Sequence, residues 1–410
     1  MLDVEKIRKD FRILENTIMQ DNVLIYFDSA ATSLKPQCVI ETMNDYYNKY
    51  NSNVHRGDYD LLYQMDVMVD QTRATVARFI NSEVNEVVFT AGATGALNLV
   101  AYSYGLKNLK KDDEIIISVA EHASNVLPWF RIAELTGAVV KYVPLTDDGK
   151  ITADNLKKII SNKTKIVSLA QVGNVLGYTA DVKAIAKVAH EYGAVMVVDG
   201  AQSVPHMRVD FKDLDVDFLA FSAHKMCGPT GMGALIGKYN LLLEMDPFVL
   251  GGGMNSTFYK NGEVNYHLPP SKFEAGTQNL SGILGFKRAI EFIEEIGLDA
   301  IHEHDKELIN YAKEKLKDNE NVIIYNKDSD NGVLAFNIKG IFAQDEATLL
   351  NHKGIAIRSG EHCAKILDNY LGIKAICRMS TYLYTTKEEI DVFIDAINNG
   401  GDILDAYFDD

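Results

Sequence analysis

Two short apolar stretches of the sequence each end in a residue that can do chemistry. Residues 195–198 precede Asp199, and residues 218–221 precede a Ser-Ala-His-Lys sequence that ends at Lys225. Both stretches are short and rich in β-formers, which predicts buried strands. In an open α/β sheet, ligands bind beyond the carboxyl ends of the strands. We therefore expect Asp199 and Lys225 to face one ligand.

A carboxylate and an amine at neighbouring strand ends suit pyridoxal phosphate. This cofactor is held by a lysine as a Schiff base, and an aspartate on the pyridine nitrogen keeps the ring protonated and able to accept electrons. A plain ion pair between Asp199 and Lys225 is the alternative. These two residues alone do not decide between the two interpretations.

A turn rich in small residues could bind the phosphate of such a cofactor. Residues 90–95 (TAGATG) lie between a predicted strand and a predicted helix, where backbone N–H groups and the helix dipole favour an anion. Ser222 and His224 could add donors. An ordinary turn is the alternative, and the absence of a following Gly-Lys-Ser/Thr excludes a Walker loop.

Three further polar residues follow predicted strands. His122 could stack on a flat ring or, when protonated, donate to a substrate, although a surface histidine is the alternative. Asn174 and Gln202 could bond a ring hydroxyl, although amides are also common in turns.

A thiol lies in a polar segment near the C-terminal end. Cys363 follows His362 and comes shortly after Arg358, and cationic neighbours raise the thiolate fraction that makes a cysteine nucleophilic. A buried structural cysteine is the alternative. Arg378 could clamp a carboxylate with two hydrogen bonds, or could make a structural ion pair.

Composition narrows the class of protein. The chain has 410 residues, of which 47% are hydrophobic and 24% charged, enough for two or three domains with a large core. A net charge of −16 argues against nucleic acid as a partner. No apolar run approaches the ~20 residues of a membrane span, and the first residues lack a signal-peptide core. We therefore expect no membrane partner and a cytoplasmic location.

The cysteine and histidine spacings predict no metal site. The four cysteines form no CxxC pair and should be free thiols in a reducing compartment. His302 and His304 are two residues apart, so on a helix they face different sides, and we interpret this stretch as a solvated face.

The elements that must position these residues alternate along the chain. Strand-like and helical stretches alternate from about residue 86 to 240, which predicts a mostly parallel sheet with helices on both faces. Residues 3–19 predict one amphipathic helix. Residues 248–282 predict a long irregular connection, and residues 283–317 a long helix broken near Gly297. The remainder predicts a smaller α+β unit.

Together these motifs resemble the class V aminotransferase-like pyridoxal phosphate enzymes of fold type I. Within them, the chain is most similar to the SufS-type (group II) cysteine desulfurases, including selenocysteine lyase-like members. The segments that carry the resemblance span most of the chain and are residues 53–57, 90–98, 121–125, 198–203, 222–225, 273–277, 358–364 and 378–380.

The resemblance implies a fold and a domain division. A large domain with a mostly parallel seven-stranded sheet would be joined to a smaller α+β domain. Residues 1–22 would form an N-terminal segment that packs on the small domain. Residues 23–282 would form the large cofactor-binding domain, and residues 283–410 the small domain that carries the catalytic cysteine.

It also implies roles for individual residues. The implied catalytic residues are Lys225, Cys363 and His122. The implied cofactor-binding residues are Thr94, His122, Asp199, Gln202, Ser222, His224, Lys225 and, from the other subunit of a homodimer, Thr277. The implied substrate-binding residues are Asn174, Arg358, Arg378, His55 and Arg56. No metal is implied.

The implied reaction converts L-cysteine to L-alanine and leaves the sulfur on Cys363 as a persulfide. A SufU/SufE-like acceptor protein would then take it for iron–sulfur cluster assembly or other sulfur metabolism. A selenocysteine lyase or another class V aminotransferase-type enzyme is the alternative. A descendant that only binds ligands would have lost Lys225, which is present.

Two positions depart from the family pattern. Glu361 stands where the family often has histidine, and its charge would oppose a thiolate at Cys363. Cys227 is an additional thiol close to Lys225, which we interpret as a packing substitution.

Overall fold

The computed structural model describes residues 2–19, 22–55, 57–329 and 331–399. Its α-helices are α1 (Val4–Arg8), α2 (Arg12–Asn16), α3 (Gln37–Asp45), α4 (Asp60–Ile80), α5 (Ala93–Val100), α6 (Leu106–Asn108), α7 (Leu127–Thr136), α8 (Ala153–Lys157), α9 (Val182–Glu191), α10 (Phe211–Leu214), α11 (Tyr239–Glu244), α12 (Leu280–Ile296), α13 (Leu298–Leu316), α14 (Ala343–His352), α15 (Lys365–Leu371) and α16 (Lys387–Asn399).

The strands are mostly short. They are β1 (Ile18–Met19), β2 (Asn22–Val23), β3 (Ile25–Tyr26), β4 (Val87–Thr90), β5 (Glu114–Ser118), β6 (Val139–Val143), β7 (Thr164–Ala170), β8 (Val195–Asp199), β9 (Phe218–Ser222), β10 (Gly233–Gly237), β11 (Asn255–Phe258), β12 (Val264–Tyr266), β13 (Val322–Ile324), β14 (Val333–Ile338), β15 (Ile355–Ala356), β16 (Arg358–Gly360) and β17 (Ile376–Ser380).

The main sheet has seven strands in the order β4-β10-β9-β8-β7-β5-β6. Strand β10 pairs antiparallel with both neighbours, and the other pairings are parallel. Helices connect the parallel strands, as crossover connections require. Residues 223–232, which include one 3-10 turn and no α-helix, connect β9 to the antiparallel β10. The predicted mostly parallel, seven-stranded sheet is confirmed.

Helices cover both faces of this sheet. Strands β5, β9 and β10 are buried along their whole length, because each face packs against apolar side chains. On one face Leu219 belongs to a core with residues of α4, α9 and α12. On the other face Ala220 belongs to a core with residues of α5 and α7, including the buried Trp129.

A smaller antiparallel sheet carries the C-terminal part of the described chain. Its strand order is β13-β14-β17-β16, and helices α13, α14 and α16 pack on it through an apolar core that includes Leu308, Leu350 and Phe393. Strand β3, from the N-terminal part, pairs in parallel with β15. The predicted smaller α+β unit is present, while the domain boundaries after residues 22 and 282 stay predictions.

Two expectations about the elements are wrong. Residues 3–19 form two short helices and a strand rather than one helix. The chain breaks between α1 and α2 because the fully buried Phe11 inserts there, with its ring 5.9 Å from that of Phe292 and 4.8 Å from that of Tyr384. Residues 248–282 are not wholly irregular, since β11 and β12 form a hairpin.

The expected break of the long helix lies at Gly297, which adopts a φ of 96° between α12 and α13. The stretch that contains His302 and His304 is not simply a solvated face. The ring Nε2 of His304 lies 3.0 Å from the carbonyl oxygen of Thr385. Within the described part of the chain, no helix is long and apolar enough to cross a membrane.

A buried polar cluster joins the two sheets. Asp305 of α13 is 1% exposed. Its Oδ2 lies 2.7 Å from Nδ1 of His206, in the turns after β8, and its Oδ1 accepts a hydrogen bond of 3.0 Å from Thr381, just after β17. Asp305 therefore fixes the segment that follows β8 against the end of β17.

We predict that Asp305→Ala lowers the free energy of unfolding by about 3 kcal/mol, because it leaves buried partners at His206 and Thr381 without their carboxylate. Urea denaturation measures this change. The matched control is Asp299→Ala, which removes an exposed ion pair with Arg208 and should leave the transition nearly unchanged. Equal effects of the two variants would contradict the prediction.

Candidate active site

One cavity of about 200 Å³ lies where the carboxyl ends of the parallel strands meet the second sheet. It brings together eleven of the residues that the sequence predicted for the site. They are Thr94, His122, Asn174, Asp199, Gln202, Ser222, His224, Lys225, Arg358, Cys363 and Arg378.

Asp199 and Lys225 reach the cavity from adjacent strands. Asp199 is the last residue of β8 and pairs in register with Ala220 of β9, and Lys225 ends the short 3-10 turn that follows β9. Burial lowers the pKa of Lys225 to about 8, and the negative charge of Asp199 opposes this shift. The amine therefore loses its proton more easily than an exposed lysine does.

The carbonyl oxygen of His224 anchors the turn that presents Lys225. It accepts hydrogen bonds from the Ser33 N–H at 3.0 Å, the Thr32 hydroxyl at 3.0 Å and the Lys35 ammonium at 2.9 Å. Burial lowers the pKa of Lys35 to about 8. The sequence analysis missed these residues, and the polar turn that precedes α3 was their only signal.

The predicted phosphate turn precedes a helix, as expected. Gly92 has a φ of 135°, in the region that favours glycine, and the Ala93 N–H at the start of α5 donates to Ser222 Oγ at 2.7 Å. The Ser222 hydroxyl keeps its own proton to donate. Thr94 Oγ1 lies 2.7 Å from Ser124 Oγ, and both residues line the cavity near the N-terminus of α5, where a helix favours an anion.

His122 is held as a neutral ring. Burial, followed by the positive charge of Lys225, lowers its pKa. Its Nδ1 accepts a 3.1 Å hydrogen bond from the Ser124 N–H, which places the ring proton on Nε2. A neutral ring suits stacking, and the protonated form considered from the sequence is disfavoured at neutral pH.

Glu121, the buried residue before His122 in the chain, was missed by the sequence analysis. Its buried carboxylate accepts hydrogen bonds from Ser118 Oγ at 2.7 Å, Asn125 Nδ2 at 2.8 Å and the Ala170 N–H at 2.9 Å. Burial raises the pKa of Glu121 to about 7. The carboxylate thereby ties the segment after β5 to the end of β7.

Cys363 enters the cavity from the second sheet. It lies in residues 361–364, between β16 and α15, and is exposed. Both His362 and Cys363 adopt left-handed φ angles, of 48° and 56°, a conformation that costs roughly 1–3 kcal/mol for a residue other than glycine. The Cys363 carbonyl accepts a 2.7 Å hydrogen bond from the Ala123 N–H, and Asn174 Nδ2 donates to the His362 carbonyl at 2.9 Å.

The charges around Cys363 differ from those expected. His362 was counted as a cationic neighbour, but burial lowers its pKa to about 3, so the ring is neutral. Its Nε2 lies 2.8 Å from the Ile376 carbonyl oxygen. The carboxylate of Glu361 pairs with Lys365 one helical turn on, which offsets its expected opposition to a thiolate.

The other wall of the cavity carries a nearly buried arginine. Arg378 is 2% exposed. Its Nη1 donates to the Asn174 carbonyl at 2.9 Å and its Nη2 to Asp28 Oδ1 at 3.1 Å. Among the described residues, none bonds to Arg378 Nε or Asn174 Oδ1, although both atoms are buried. Buried polar atoms normally have partners, so these two fit a polar ligand.

Comparison with known proteins identifies the family. Residues 25–393 match the aminotransferase class-V family. The chain belongs to that family. A probable cysteine desulfurase of Halalkalibacterium halodurans is 46% identical over 391 residues, covering 95% of this chain and 96% of that protein.

Two solved structures of cysteine desulfurases resemble this chain over most of its length. The apo cysteine desulfurase of Thermococcus onnurineus NA1 superimposes with a TM-score of 0.92 at 36% identity, covering 97% of this chain and 98% of that one. The cysteine desulfurase CsdA of Escherichia coli, in an S-sulfonic acid form, gives a TM-score of 0.91 at 34% identity, covering 98% of each chain. The predicted family is confirmed, while the SufS-type subgroup stays a prediction.

Pyridoxal phosphate is the cofactor of class-V aminotransferases, and the residues present fit it. The cavity offers an amine of lowered pKa and a carboxylate on adjacent strands. A turn at the start of α5 lacks a side chain at Gly92, where a Cβ would lie 3.1 Å from Ser222 Oγ. The donors of the turn before α5 thus match the phosphate of this cofactor, and the Asp199 carboxylate matches its pyridine nitrogen. The Lys225 amine matches its aldehyde carbon.

Three predicted residues are not in this cavity. Thr277 is exposed and does not line it. His55 lines a second cavity of about 470 Å³, with Glu274 and Gln278, and its Nδ1 lies 3.3 Å from Asp66 Oδ1. Arg56 lies outside the described residues. The cofactor-binding role of Thr277 across a homodimer and the substrate-binding roles of His55 and Arg56 stay predictions.

All four cysteines are free, as expected. Cys227 and Cys377 are buried, and burial raises the pKa of the Cys227 thiol to about 12. The interpretation of Cys227 as a packing residue agrees with this burial. Cys363 is the exposed thiol of the four.

The absence of a side chain at Gly233 sets the position of the phosphate turn. A Cβ there would collide with the Phe221 carbonyl oxygen and lie 2.7 Å from Gly92 Cα. We predict that Gly233→Ala displaces the turn and costs one charge-assisted hydrogen bond to phosphate, about 1.5 kcal/mol, which weakens pyridoxal phosphate binding about tenfold.

Titration of the apoprotein with pyridoxal phosphate measures this affinity. Gly252→Ala is the control, because a Cβ at that position would have no atom of the described residues within 4 Å apart from its immediate chain neighbours. Unchanged affinity in Gly233→Ala would show that the turn does not depend on this close approach.

Proposed function

We propose that this protein is a pyridoxal phosphate-dependent cysteine desulfurase, which converts L-cysteine to L-alanine and transfers the sulfur to Cys363. The observation that carries the proposal is the shared cavity. Lys225 comes from the first sheet and the exposed Cys363 from the second, and both line one space. Transfer of sulfur requires a thiol at that position, whereas transfer of an amino group does not require one.

The cofactor has a set of partners in this cavity. Lys225 would hold it covalently, Asp199 would pair with its pyridine nitrogen, and the neutral His122 would stack on its ring. Gln202 would approach its phenolic oxygen. The phosphate would be bound by Thr94, Ser222 and His224, with Thr277 supplied by the second subunit of a homodimer.

The substrate carboxylate would accept from the buried Arg378 Nε, which has no partner among the described residues. Arg378 Nε can donate to one carboxylate oxygen, and the exposed guanidinium of Arg358 to the other. The Asn174 amide orients this end through its bond to the His362 carbonyl. Burial of Arg378 excludes water from the contact and strengthens it.

The reaction follows from the positions of an amine and a thiol. Bound pyridoxal phosphate supplies an electron sink for the substrate Cα. The neutral Lys225 amine takes the Cα proton. The Cys363 thiolate attacks the substrate sulfur, a new S–S bond forms, and the Cβ–S electron pair stays with the carbon. Cβ then takes a proton, the Lys225 ammonium returns a proton to Cα, alanine leaves, and Cys363 holds the sulfur as a persulfide.

Two alternatives share much of this machinery. A selenocysteine lyase would use the same cavity for a selenium substrate. Another class V aminotransferase-type enzyme would need Lys225 and Asp199 but not the Cys363 thiol. Sulfide release that depends on Cys363 separates the desulfurase from the second alternative, and activity on both amino acids separates it from the first.

A sulfur acceptor completes the proposed cycle. The Cys363 thiol is exposed, so a SufU/SufE-like acceptor protein could take sulfur from it for iron–sulfur cluster assembly or other sulfur metabolism. Both the acceptor and the homodimer remain part of the proposal. The cytoplasmic location expected from the sequence also stays a prediction.

We predict that Lys225→Ala and Cys363→Ala both abolish sulfide release from cysteine, because one removes the proton acceptor and the other the sulfur acceptor. Only Lys225→Ala should also lose the visible absorbance band of the bound cofactor. Cys38→Ala is the matched control, since it removes a partly buried thiol outside the cavity. Release at the parental rate by Cys363→Ala would exclude the proposed reaction.

A pH dependence follows from the lowered pKa of Lys225. The amine can attack an aldehyde only when it is neutral, and its pKa lies near 8 rather than near that of an exposed lysine. We predict that the rate of pyridoxal phosphate incorporation into the apoprotein rises with pH through about 8 and then levels off.

Stopped-flow absorbance measures this profile. Asp199→Asn removes a negative charge that raises the pKa of Lys225, so the midpoint should move to lower pH. The ordinary pKa of a lysine is 10.5. A rate that still increases above pH 10 would therefore show that the pKa of Lys225 is not lowered.

A further inference from the structure

Ser124 lines the cavity of about 200 Å³ beside the start of α5. Its Oγ lies 2.7 Å from Oγ1 of Thr94, the second residue of that helix. Thr94 is exposed and Ser124 is half-buried. An exposed hydroxyl on its own rotates among several staggered positions, and the contact with Ser124 favours one of them. The two hydroxyls therefore form a pair at the end of the cavity where the cofactor phosphate is expected.

The backbone of Ser124 is fixed by contacts that do not use its hydroxyl. Its N–H donates to Nδ1 of His122 at 3.1 Å. The next residue, Asn125, is fully buried. Its Nδ2 donates to the Glu121 carboxylate at 2.8 Å, and its Oδ1 accepts from Trp129 Nε1 at 3.3 Å. Removal of the Ser124 hydroxyl alone should therefore leave this turn in place.

The pair can direct one proton to an anion. A hydroxyl has a single O–H donor, while its oxygen can accept at the same time. When Thr94 donates its proton to a phosphate oxygen, its Oγ1 can still accept the proton of Ser124 at 2.7 Å. A hydroxyl that accepts a hydrogen bond is a stronger donor, because hydrogen bonds in a chain polarise one another. Ser124 thus leaves the Thr94 proton free for the anion and strengthens its donation.

The donors assigned to the phosphate are neutral groups, so each of them matters. Burial, followed by the positive charges of Lys225 and Lys35, lowers the pKa of His224 to about 4, and its ring is uncharged at neutral pH. Thr94 and Ser222 donate from hydroxyls. Hydrogen bonds from neutral groups therefore carry much of the binding of a phosphate at these residues, and weakening one of them should be measurable.

We propose that Ser124 is a positioning residue for the phosphate of pyridoxal phosphate, which acts by holding the Thr94 hydroxyl with its proton directed at that phosphate. The proposal depends on the cofactor and not on the fate of the substrate sulfur. It therefore goes beyond the proposed function and holds for any reaction that the bound cofactor supports.

Two ligands that differ by the phosphate group test the proposal. Pyridoxal has the ring and the aldehyde of pyridoxal phosphate but lacks the phosphate. Each ligand is titrated into the apoprotein, and binding is followed by absorbance. In Ser124→Ala, the ratio of the pyridoxal Kd to the pyridoxal phosphate Kd should fall about fivefold, equivalent to about 1 kcal/mol. Ser124→Thr keeps a hydroxyl and should keep the parental ratio.

Thr94→Val shows whether Ser124 acts through Thr94. This variant alone should lower the ratio, because it removes the hydroxyl that donates to the phosphate. Addition of Ser124→Ala should then lower the ratio no further, because no Thr94 hydroxyl remains to be held. A merely structural effect of Ser124→Ala would change the binding of both ligands alike and would persist when Thr94 is replaced.

The contrary outcomes are specific. An unchanged ratio in Ser124→Ala overturns the proposal, as does a further fall in the double variant. If Thr94→Val binds neither ligand, the two Ser124 variants decide, and a fall in Ser124→Ala without recovery in Ser124→Thr overturns the proposal. Failure of the parental enzyme to release sulfide from cysteine would refute the proposed function without altering these binding ratios.

Discussion

The contacts of one short segment hold the two halves of the site together. Residue 174, after β7, donates from its side chain to the His362 carbonyl and accepts through its own carbonyl from Arg378. Nearby, the Ala123 N–H donates to the Cys363 carbonyl. Lys225 follows a strand of one sheet and Cys363 follows a strand of the other. The two residues can act on one substrate only while these bonds fix the position of the sheets relative to each other. The buried Asp305 cluster reinforces the same junction from behind.

Much of the first sheet could be predicted from the sequence, because its signals are local. Parallel strands place their carboxyl ends at one edge, so Asp199 and Lys225 could be assigned to a common ligand without knowledge of any contact. The small residues around Gly92 likewise indicate a close backbone approach. By contrast, the amphipathic pattern of residues 3–19 predicted one helix where the structure has a break. Nothing in the local sequence indicates that Phe11 packs against two aromatic rings from distant parts of the chain.

The rest of the site depends on contacts that sequence spacing does not contain. Asp28 meets Arg378 across 350 positions of the chain, and the Lys35 ammonium meets the His224 carbonyl across 189. Charge was the least predictable property. His362 was counted as a cation beside Cys363, yet burial lowers its pKa and makes the ring neutral, although the hydrogen bond to the Ile376 carbonyl opposes that shift. Glu361 was counted as an uncompensated anion, yet it is paired with Lys365. Burial and pairing, which decide both cases, are properties of the fold.

The brevity of the segment that bears Cys363 has a consequence for sulfur delivery. Only residues 361–364 join β16 to α15, and two of them are already committed to left-handed backbone angles. A chain this short spans at most about 3.5 Å per residue, and both of its ends are anchored in regular structure. Under the proposed function, sulfur bound to Cys363 would therefore have no long mobile segment to carry it away from the cavity. A sulfur acceptor would have to bring its own receiving atom to the mouth of the cavity.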